Sequence, residues 1–393
     1  MESTAALPFE RTDLLRIPPV LRDLQARGPV HLVRTAVGDP AWLVTDYAEV
    51  KKLLAGDALG RSHPDPESAS RIGESVFTGG PLGTFDTEPA DSARTRALLQ
   101  PHFSPKRMRA LRERVETLTT GLVEDLARRE GPVDLVEALA IPLPVLVVCE
   151  MLGVPYEDRD RFRAWIRAVC DVTDRAGSEQ AVFALFEYGQ QLVARKRDEP
   201  GDDITSRLCG TEGTTDLEIA ELTMALLFAG FETTSVHIGF GVLLFLVNPD
   251  QWNAVVADPS VIPSAIDEII RATPGPAGAD IPRYARRDLR IGEASVRAGD
   301  LVLLDNAAAN QDPSAFPDPD AFDITRRTAA AHLSFGHGPH YCIGAPLARI
   351  ELEAVFRQLV ERFPGIRLAV DPSELRIHTT TQTGGLVELP VVW

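Results

Sequence analysis

The chain has 393 residues, of which 44% are hydrophobic and 25% charged, the balance of an ordinary globular protein. Its formal net charge of −17 disfavours nucleic acid and anionic membrane surfaces as partners, since both carry charge of the same sign. The sequence predicts a cytoplasmic protein without disulfides or a transmembrane span. Its cysteines are scattered, its N-terminus has no apolar signal segment, and no apolar run reaches about 18 residues.

The predicted elements are mostly helical, with short strands near both ends of the chain. In chain order they are two strands around a Gly-Asp-Pro turn (28–47), a long loop rich in Ser, Gly, Pro and Asp (62–90), a mostly helical stretch (92–208), one long apolar helix (216–247), a helix with Pro263 in its first turn (263–272), short strands with glycine turns (281–305), and a last helix (343–362) before terminal strands. No linker interrupts this order. We expect a single mainly-α domain over residues 1–393 with small β-sheets.

A glycine-rich segment, FGHGPHYCIGAPLAR at 335–349, places Cys342 just before the last predicted helix. The residues leave several interpretations open: a buried structural cysteine, a zinc site with His337 and His340, or a cysteine nucleophile paired with a histidine. Zinc needs three or four protein ligands, and only these two histidines are near in sequence. A thiolate at a helix N-terminus, stabilised by free N–H groups, also suits an axial ligand of haem iron.

The long helix has a polar centre between apolar ends, in LTMALLFAGFETTSVHIGFGVLLFLV at 222–247. Burying Glu232, Thr233 and Thr234 costs several kcal/mol, roughly, unless partners are supplied. These residues could instead face solvent, but apolar residues on every side of the helix argue against that. Ala229 and Gly230 also remove side-chain bulk beside the acid, which suggests that a large group lies against the helix.

These two motifs together resemble those of the cytochrome P450 monooxygenases. The haem-ligand loop F-G-x-G-x-H-x-C-x-G and the oxygen-activation helix A-G-x-E-T-T are both complete, as Phe335, Gly336, Gly338, His340, Cys342 and Gly344, and as Ala229, Gly230, Glu232, Thr233 and Thr234. The resemblance implies the mainly-α P450 fold, with one haem b between this helix and the loop. It makes Cys342 the iron ligand. Cofactor contacts would be made by Phe335, Gly336, His340 and Gly344 of the loop and by Ala229 and Gly230 of the helix. Thr233 would hydrogen-bond dioxygen, and Glu232 would relay protons.

Further positions match the same family. Glu268 and Arg271 resemble its E-x-x-R motif, which braces the haem loop with a later arginine, here Arg326. Arg96, Arg283 and His340 match the residues that bind the haem propionates. The chain departs from the common pattern at Ser92, where many bacterial members have a histidine, and this puts one propionate contact in doubt. Arg94 or His332 could compensate.

The resemblance also implies the partners. The chain contains no flavin or nicotinamide domain, so electrons would come from a separate ferredoxin and ferredoxin reductase. A cluster of basic residues either forms a solvated helix face or docks that acidic donor; its members are Lys106, Arg107, Arg109, Arg112 and Arg114.

The expected substrate is a small apolar secondary metabolite. The PRYA segment at 282–285 and the ending ELPVVW resemble actinomycete enzymes that hydroxylate or epoxidise macrolides, so a polyketide macrolide is the first expectation. A terpene, a fatty acid or a carrier-bound amino acid is the alternative. By family analogy the pocket is lined by residues 62–90, 165–185, 275–280 and 380–385 and by the oxygen-activation helix. Three other classes remain: a peroxygenase, a non-catalytic haem-fold module that recruits a partner, and a cysteine hydrolase.

Overall fold

The computed structural model describes residues 5–275, 281–381 and 383–393. Helices dominate this part of the chain, which confirms the mainly-α prediction. The α-helices are α1 (Pro19–Arg27), α2 (Tyr47–Ala55), α3 (Glu88–Leu99), α4 (Pro105–Ala127), α5 (Pro142–Leu152), α6 (Arg159–Cys170), α7 (Arg175–Asp198), α8 (Ile204–Cys209), α9 (Asp216–Val247), α10 (Pro249–Ala257), α11 (Ile262–Ala272), α12 (Asn306–Asn310) and α13 (Ala345–Arg362).

The strands are short and form small sheets, as the sequence predicts. They are β1 (Val30–Arg34), β2 (Pro40–Val44), β3 (Leu59–Gly60), β4 (Val133–Asp134), β5 (Arg283–Ala285), β6 (Leu289–Ile291), β7 (Ala294–Val296), β8 (Leu301–Leu304), β9 (Arg367–Leu368) and β10 (Pro390–Val392). The largest sheet has the order β1-β2-β8-β5-β3. A second has the order β4-β10-β9, and β6 pairs with β7.

The first two strands form the predicted hairpin. Val30 lies opposite Val44, and the Thr35 N–H donates to the carbonyl of Asp39 at 2.8 Å to close the turn. On its other side β2 runs parallel to β8, with Trp42 opposite Val302. This sheet therefore joins the N-terminal part of the chain to a segment far along the sequence.

Helix α9 is the centre of the helical layer, and its bounds are those predicted. Thr215 caps its start by accepting a hydrogen bond from the Glu218 N–H at 3.2 Å. The helix is long and apolar enough to cross a membrane, but it is mostly buried inside the protein. It packs against α5, α7, α11 and α13, so its apolar composition serves a protein core.

The structure differs from the sequence-based prediction at several boundaries. Helix α3 begins at Glu88, inside the predicted 62–90 loop, because Pro89 occupies its first turn. The predicted helical stretch 92–208 also contains the strand β4 and a wide helical turn at Val136–Ala140. Residues 276–280 and 382, which belong to two of the predicted pocket segments, lie outside the described residues.

Candidate active site

The loop before Cys342 is shaped by two glycines in left-handed conformations. Gly336 and Gly338 have φ values of +70° and +72°. A Cβ atom on Gly338 would lie 2.7 Å from the Cα atom of Ala55, so α2 also leaves no space there. The Cys342 N–H donates to the carbonyl of Phe335 at 2.8 Å and closes the loop. The glycines of the motif are therefore required by backbone geometry.

Cys342 is exposed although it lies deep among protein atoms. A side chain that is both surrounded and accessible lines an internal cavity. Burial raises the pKa of its thiol, while the backbone N–H groups of Gly344 and Ala345 and the cations of Arg96 and Arg349 act in the opposite direction. Binding to a metal ion would complete the deprotonation that these groups favour.

A stripe of small residues on α9 is accessible in the same manner. Ala225, Ala229 and Thr233 are exposed at a spacing of four residues, although most of α9 is buried. Residues at this spacing share one helix face. This face therefore leaves room for a flat, bulky group.

Gly230 lies where α9 packs against α5. A Cβ atom at this position would lie 2.7 Å from Cγ2 of Val148 on α5. The small size of Gly230 therefore allows α5 to pack closely against α9. Of the Ala229-Gly230 pair, only Ala229 lies on the accessible stripe.

Two arginines and one histidine from three separate parts of the chain meet beside the loop. Arg96 of α3 donates to the carbonyl of Tyr341, and Arg283 lies on β5. Burial lowers the pKa of His340, and the positive charges of Arg283 and Arg96 lower it further. Like charges gathered in this way favour an anionic ligand. The predicted propionate partners Arg96, Arg283 and His340 are thus close together.

Ser92 lies at this same edge. Its hydroxyl is 3.4 Å from Nδ1 of His340, so it can orient the imidazole but supplies no charge. Arg94 is directed elsewhere, because it pairs with Glu218 at the start of α9 and donates to the carbonyl of Gly213. His332 is buried rather than accessible. The structure therefore offers no support for either residue as a substitute propionate contact.

The side chains of Glu232 and Thr233 form hydrogen bonds with different partners. The Thr233 hydroxyl donates to the carbonyl of Ala229 at 3.0 Å, within α9. The Glu232 carboxylate accepts hydrogen bonds from the Thr383 hydroxyl at 2.6 Å and from the Cys170 thiol. Burial raises the pKa of Glu232, whereas these two hydrogen bonds and the charge of Arg167 act to lower it.

Cys170 and Thr383 were not identified as partners of this acid from the sequence. Both fall in predicted pocket segments, Cys170 in 165–185 and Thr383 in 380–385, which is a weak signal. Along the chain, Cys170 is 62 residues and Thr383 is 151 residues from Glu232, so both contacts depend on tertiary structure.

The predicted brace is present behind the loop. Arg271 donates to both carboxylate oxygens of Glu268 at 2.7 Å, and Nε of Arg326 lies 3.1 Å from the same group. Glu268 and Arg271 are fully buried. Both arginines also donate to carbonyls of the coil before the loop, including that of Ala321. The ion pairs therefore hold this coil in place.

Comparison with known proteins identifies the family. Pentalenolactone synthase of Streptomyces exfoliatus is 44% identical over 401 residues, which span 100% of both chains. The chain belongs to the cytochrome P450 family. The family's sequence profile matches residues 187–374 of this P450. Mycinamicin IV hydroxylase/epoxidase of Micromonospora griseorubida is 36% identical over 99% of this chain and 98% of its own. The solved structure of SgvP, a proposed thioether synthase of griseoviridin tailoring, has a TM-score of 0.93, 35% identity and full coverage of both chains.

Membership of the family confirms the predicted fold and reaction class. This P450 is a monooxygenase, an oxidoreductase that uses haem b with an axial cysteine thiolate. The described residues fit that group on three counts: an accessible Cys342 at a helix start, a stripe of small residues on α9, and a cationic edge suited to two carboxylates.

Proposed function

We propose that Cys342 is the iron ligand and that Arg96, Arg283 and His340 bind the haem propionates. The accessible, deeply placed thiol of Cys342 beside these cationic groups is the observation that carries this assignment. The brace of Glu268, Arg271 and Arg326 supports it, since these residues fix the coil that leads into the loop.

The same proposal assigns Glu232 and Thr233 to proton delivery. The bound haem supplies the redox chemistry that activates dioxygen. One oxygen atom enters the substrate and the other leaves as water, a balance that takes up two electrons and two protons. Burial raises the pKa of Glu232, which suits a carboxyl group that binds a proton and passes it on. The Thr233 hydroxyl is the neighbouring group on the accessible stripe, and rotation would free it from the carbonyl of Ala229.

A polyketide macrolide is the proposed substrate. Several similar proteins are named for macrolide oxidation: mycinamicin IV hydroxylase/epoxidase, 6-deoxyerythronolide B hydroxylase, and the pimaricin epoxidase PimD. The relative at 44% identity is instead named for pentalenolactone. A lactone of that type is therefore the second candidate product.

The electron donor in this proposal is a cytoplasmic ferredoxin with its reductase, docked near the start of α4. The basic cluster there is partly neutralised, because Arg112 pairs with Glu353 and Arg114 with Glu150, each at 2.5 Å. Lys106 and Arg109 are exposed. Neither has an ion pair within the described part of the chain, so both remain available to an acidic protein.

The deciding experiment is the absorption spectrum of dithionite-reduced protein under carbon monoxide. A strongly red-shifted Soret band that disappears in the Cys342→Ala variant supports the assignment. A band that survives this substitution refutes the ligand. A folded, haem-supplied protein without haem absorption refutes the whole site and returns Cys342 to the hydrolase or structural interpretation.

Substrate and donor are tested on the same protein. A panel of macrolides and lactones is screened for a spin-state shift and for products with ferredoxin, reductase and oxygen. Full turnover with hydrogen peroxide alone would favour a peroxygenase. Binding of a carrier protein without any turnover would favour the recruiting module.

A further inference from the structure

A cleft lies between α6, α9 and the C-terminal segment. We call it the α6–α9 cleft, and its polar lining is Arg163, Arg167, Glu232, Ser235, His378, Thr381 and Thr383. It reaches Glu232 and does not include Ala229 or Thr233. The cleft therefore approaches the acid from the side of α9 away from the accessible stripe.

At the inner end of the cleft, the Glu232 carboxylate is held by two other parts of the chain. Cys170 ends α6 and donates its thiol hydrogen to one carboxylate oxygen, while Thr383 in the C-terminal segment donates to the other at 2.6 Å. Burial and the negative charge of Glu232 raise the pKa of the Cys170 thiol. The thiol therefore remains a neutral donor and does not compete with Glu232 as an acid.

The outer part of the cleft carries groups that can hold or repel protons. Arg167 is exposed on α6, and His378 is half-buried on the C-terminal segment. Burial lowers the pKa of His378, and the charge of Arg167 lowers it further. The same charge acts to lower the pKa of Glu232. Arg163, the other cation on α6, pairs with Glu137. Arg167 is therefore within electrostatic reach of both titratable groups in the cleft.

We propose that protons from solvent reach Glu232 through the α6–α9 cleft, and that Cys170 and Thr383 are positioning residues that hold its carboxyl group at the inner end. The inference rests on the proposed role of Glu232. The carboxylate takes up one proton on the cleft side. It then turns from Cys170 and Thr383 towards the Thr233 hydroxyl, releases the proton there, and returns as a carboxylate. The cycle runs twice for each molecule of water formed.

The first test reads the thiol directly and needs no turnover. The infrared S–H stretch of Cys170 should lie at the low frequency of a hydrogen-bonded thiol and move to the free-thiol region in Glu232→Leu. The buried cysteines Cys149 and Cys209 supply the controls, since Cys149→Val and Cys209→Val should leave the Cys170 band unchanged. A Cys170 band that is the same with and without Glu232 overturns the positioning role.

The second test measures product and peroxide formed per electron supplied. Cys170→Val and Thr383→Val remove the donors, and each should lower the product yield about ten-fold in favour of peroxide. Cys170→Ser and Thr383→Ser keep a hydroxyl donor and should restore most of the coupling. Full coupling in both valine variants overturns the proposal. A wild-type protein with no product counts against the proposed function alone, since the infrared result is independent of turnover.

The third test examines the outer part of the cleft. Arg167→Gln removes the charge that lowers the pKa of Glu232 and His378. The titration of the protonated Glu232 carboxyl, followed by its infrared C=O band, should therefore move to higher pH. His378→Gln should slow the proton-dependent step and increase the solvent isotope effect. An unchanged Glu232 midpoint in Arg167→Gln, together with wild-type kinetics in His378→Gln, refutes this route.

Discussion

Both the backbone conformation at position 338 and the nearby Ala55 require a glycine there. The φ of +72° at Gly338 disfavours any residue with a Cβ atom, and that atom would lie 2.7 Å from the backbone of Ala55. We expect Gly338→Ala to lower the free energy of unfolding by at least about 2 kcal/mol and to reduce the haem bound per protein. Denaturant unfolding and haem quantification measure these effects.

Gly213 provides the matched control for this prediction. It has a similar φ of +76°, but a Cβ atom there would meet nothing within 4 Å. Gly213→Ala should therefore cost only the conformational penalty of about 1 kcal/mol, with full haem content. Equal losses in the two variants would show that contact with α2 has no part in shaping the loop.

His332 makes stability depend on pH. Its pKa is lowered from 6.5 to about 3, mainly by burial and in addition by the charge of Arg349. The unfolded chain therefore binds more protons than the folded protein in this interval, so stability is lost as pH falls from 6.5 to about 3. The plot of unfolding free energy against pH should therefore be flatter in His332→Leu, with a slope smaller by up to about 1.4 kcal/mol per pH unit.

Denaturant titrations at several pH values provide the measurement. Above pH 7 the wild-type and His332→Leu curves should run parallel, whatever constant offset the substitution introduces. If the wild type and His332→Leu lose stability with the same slope between pH 6.5 and pH 3, the imidazole takes up a proton as easily in the folded state as in the unfolded chain.

For single residues, the sequence pointed to candidate site residues only where a motif fixes their spacing. Cys342, Glu232 and Glu268 follow from short patterns that local chemistry constrains. Gly230 belongs to such a pattern, and the structure adds a packing constraint, since a Cβ atom there would lie 2.7 Å from Val148. Cys170 and Thr383 escaped prediction because a donor to a buried carboxylate can come from any element that folding brings alongside.

Two glycines on α9 differ in the space around them. A Cβ atom on Gly239 would make ordinary contacts, at 3.6 Å and beyond, whereas one on Gly241 would lie 2.7 Å from the Phe356 ring and 2.9 Å from Ile269. Alanine favours the helix by about 1 kcal/mol in both places. Gly239→Ala should therefore raise the free energy of unfolding by about 0.5–1 kcal/mol, and Gly241→Ala should lower it by about 1–2 kcal/mol through overpacking.

Thermal and denaturant unfolding of the two variants measure the difference. Because they lie on the same helix two residues apart, each serves as the control for the other. Stabilisation by both substitutions would show that α11 and α13 shift easily away from α9.

Helix bounds were predictable where sequence signals coincide. Thr215 caps the start of α9, Pro249 follows its end, and Pro263 lies in the first turn of α11. The predicted bounds of these two helices therefore agree with the structure to within about one residue.

The interval from 92 to 208 was predicted only as mostly helical, although it carries signals of the same kind. Gly153 ends α5 in a left-handed conformation, and Asp174 and Asp203 cap α7 and α8. The wide turn at Val136–Ala140 has no such cap.

The whole molecule has a net charge of −17, so an exposed basic patch is a distinctive docking surface. If ferredoxin docks near the start of α4, Arg109→Glu should raise the KM for ferredoxin several-fold at low salt. The effect should shrink as salt screens the charges. Steady-state kinetics at two ionic strengths measure it.

The control for this prediction is Arg290→Glu on β6, which makes the same change of charge away from α4. Its KM should remain near that of the wild type. Equal effects of the two substitutions would indicate that only net charge matters and that the basic cluster is not a docking surface.

The parallel pairing of β2 with β8 has a consequence for biosynthesis. The indole N–H of Trp42 donates to the carboxylate of Asp300 at 3.0 Å, across 258 residues of sequence. At about 5–20 residues per second, the ribosome adds that much chain in roughly 13–50 s. During this time the hairpin of β1 and β2 has emerged but presents an unpaired strand edge. Nascent chains should therefore depend on a chaperone until β8 has been synthesised.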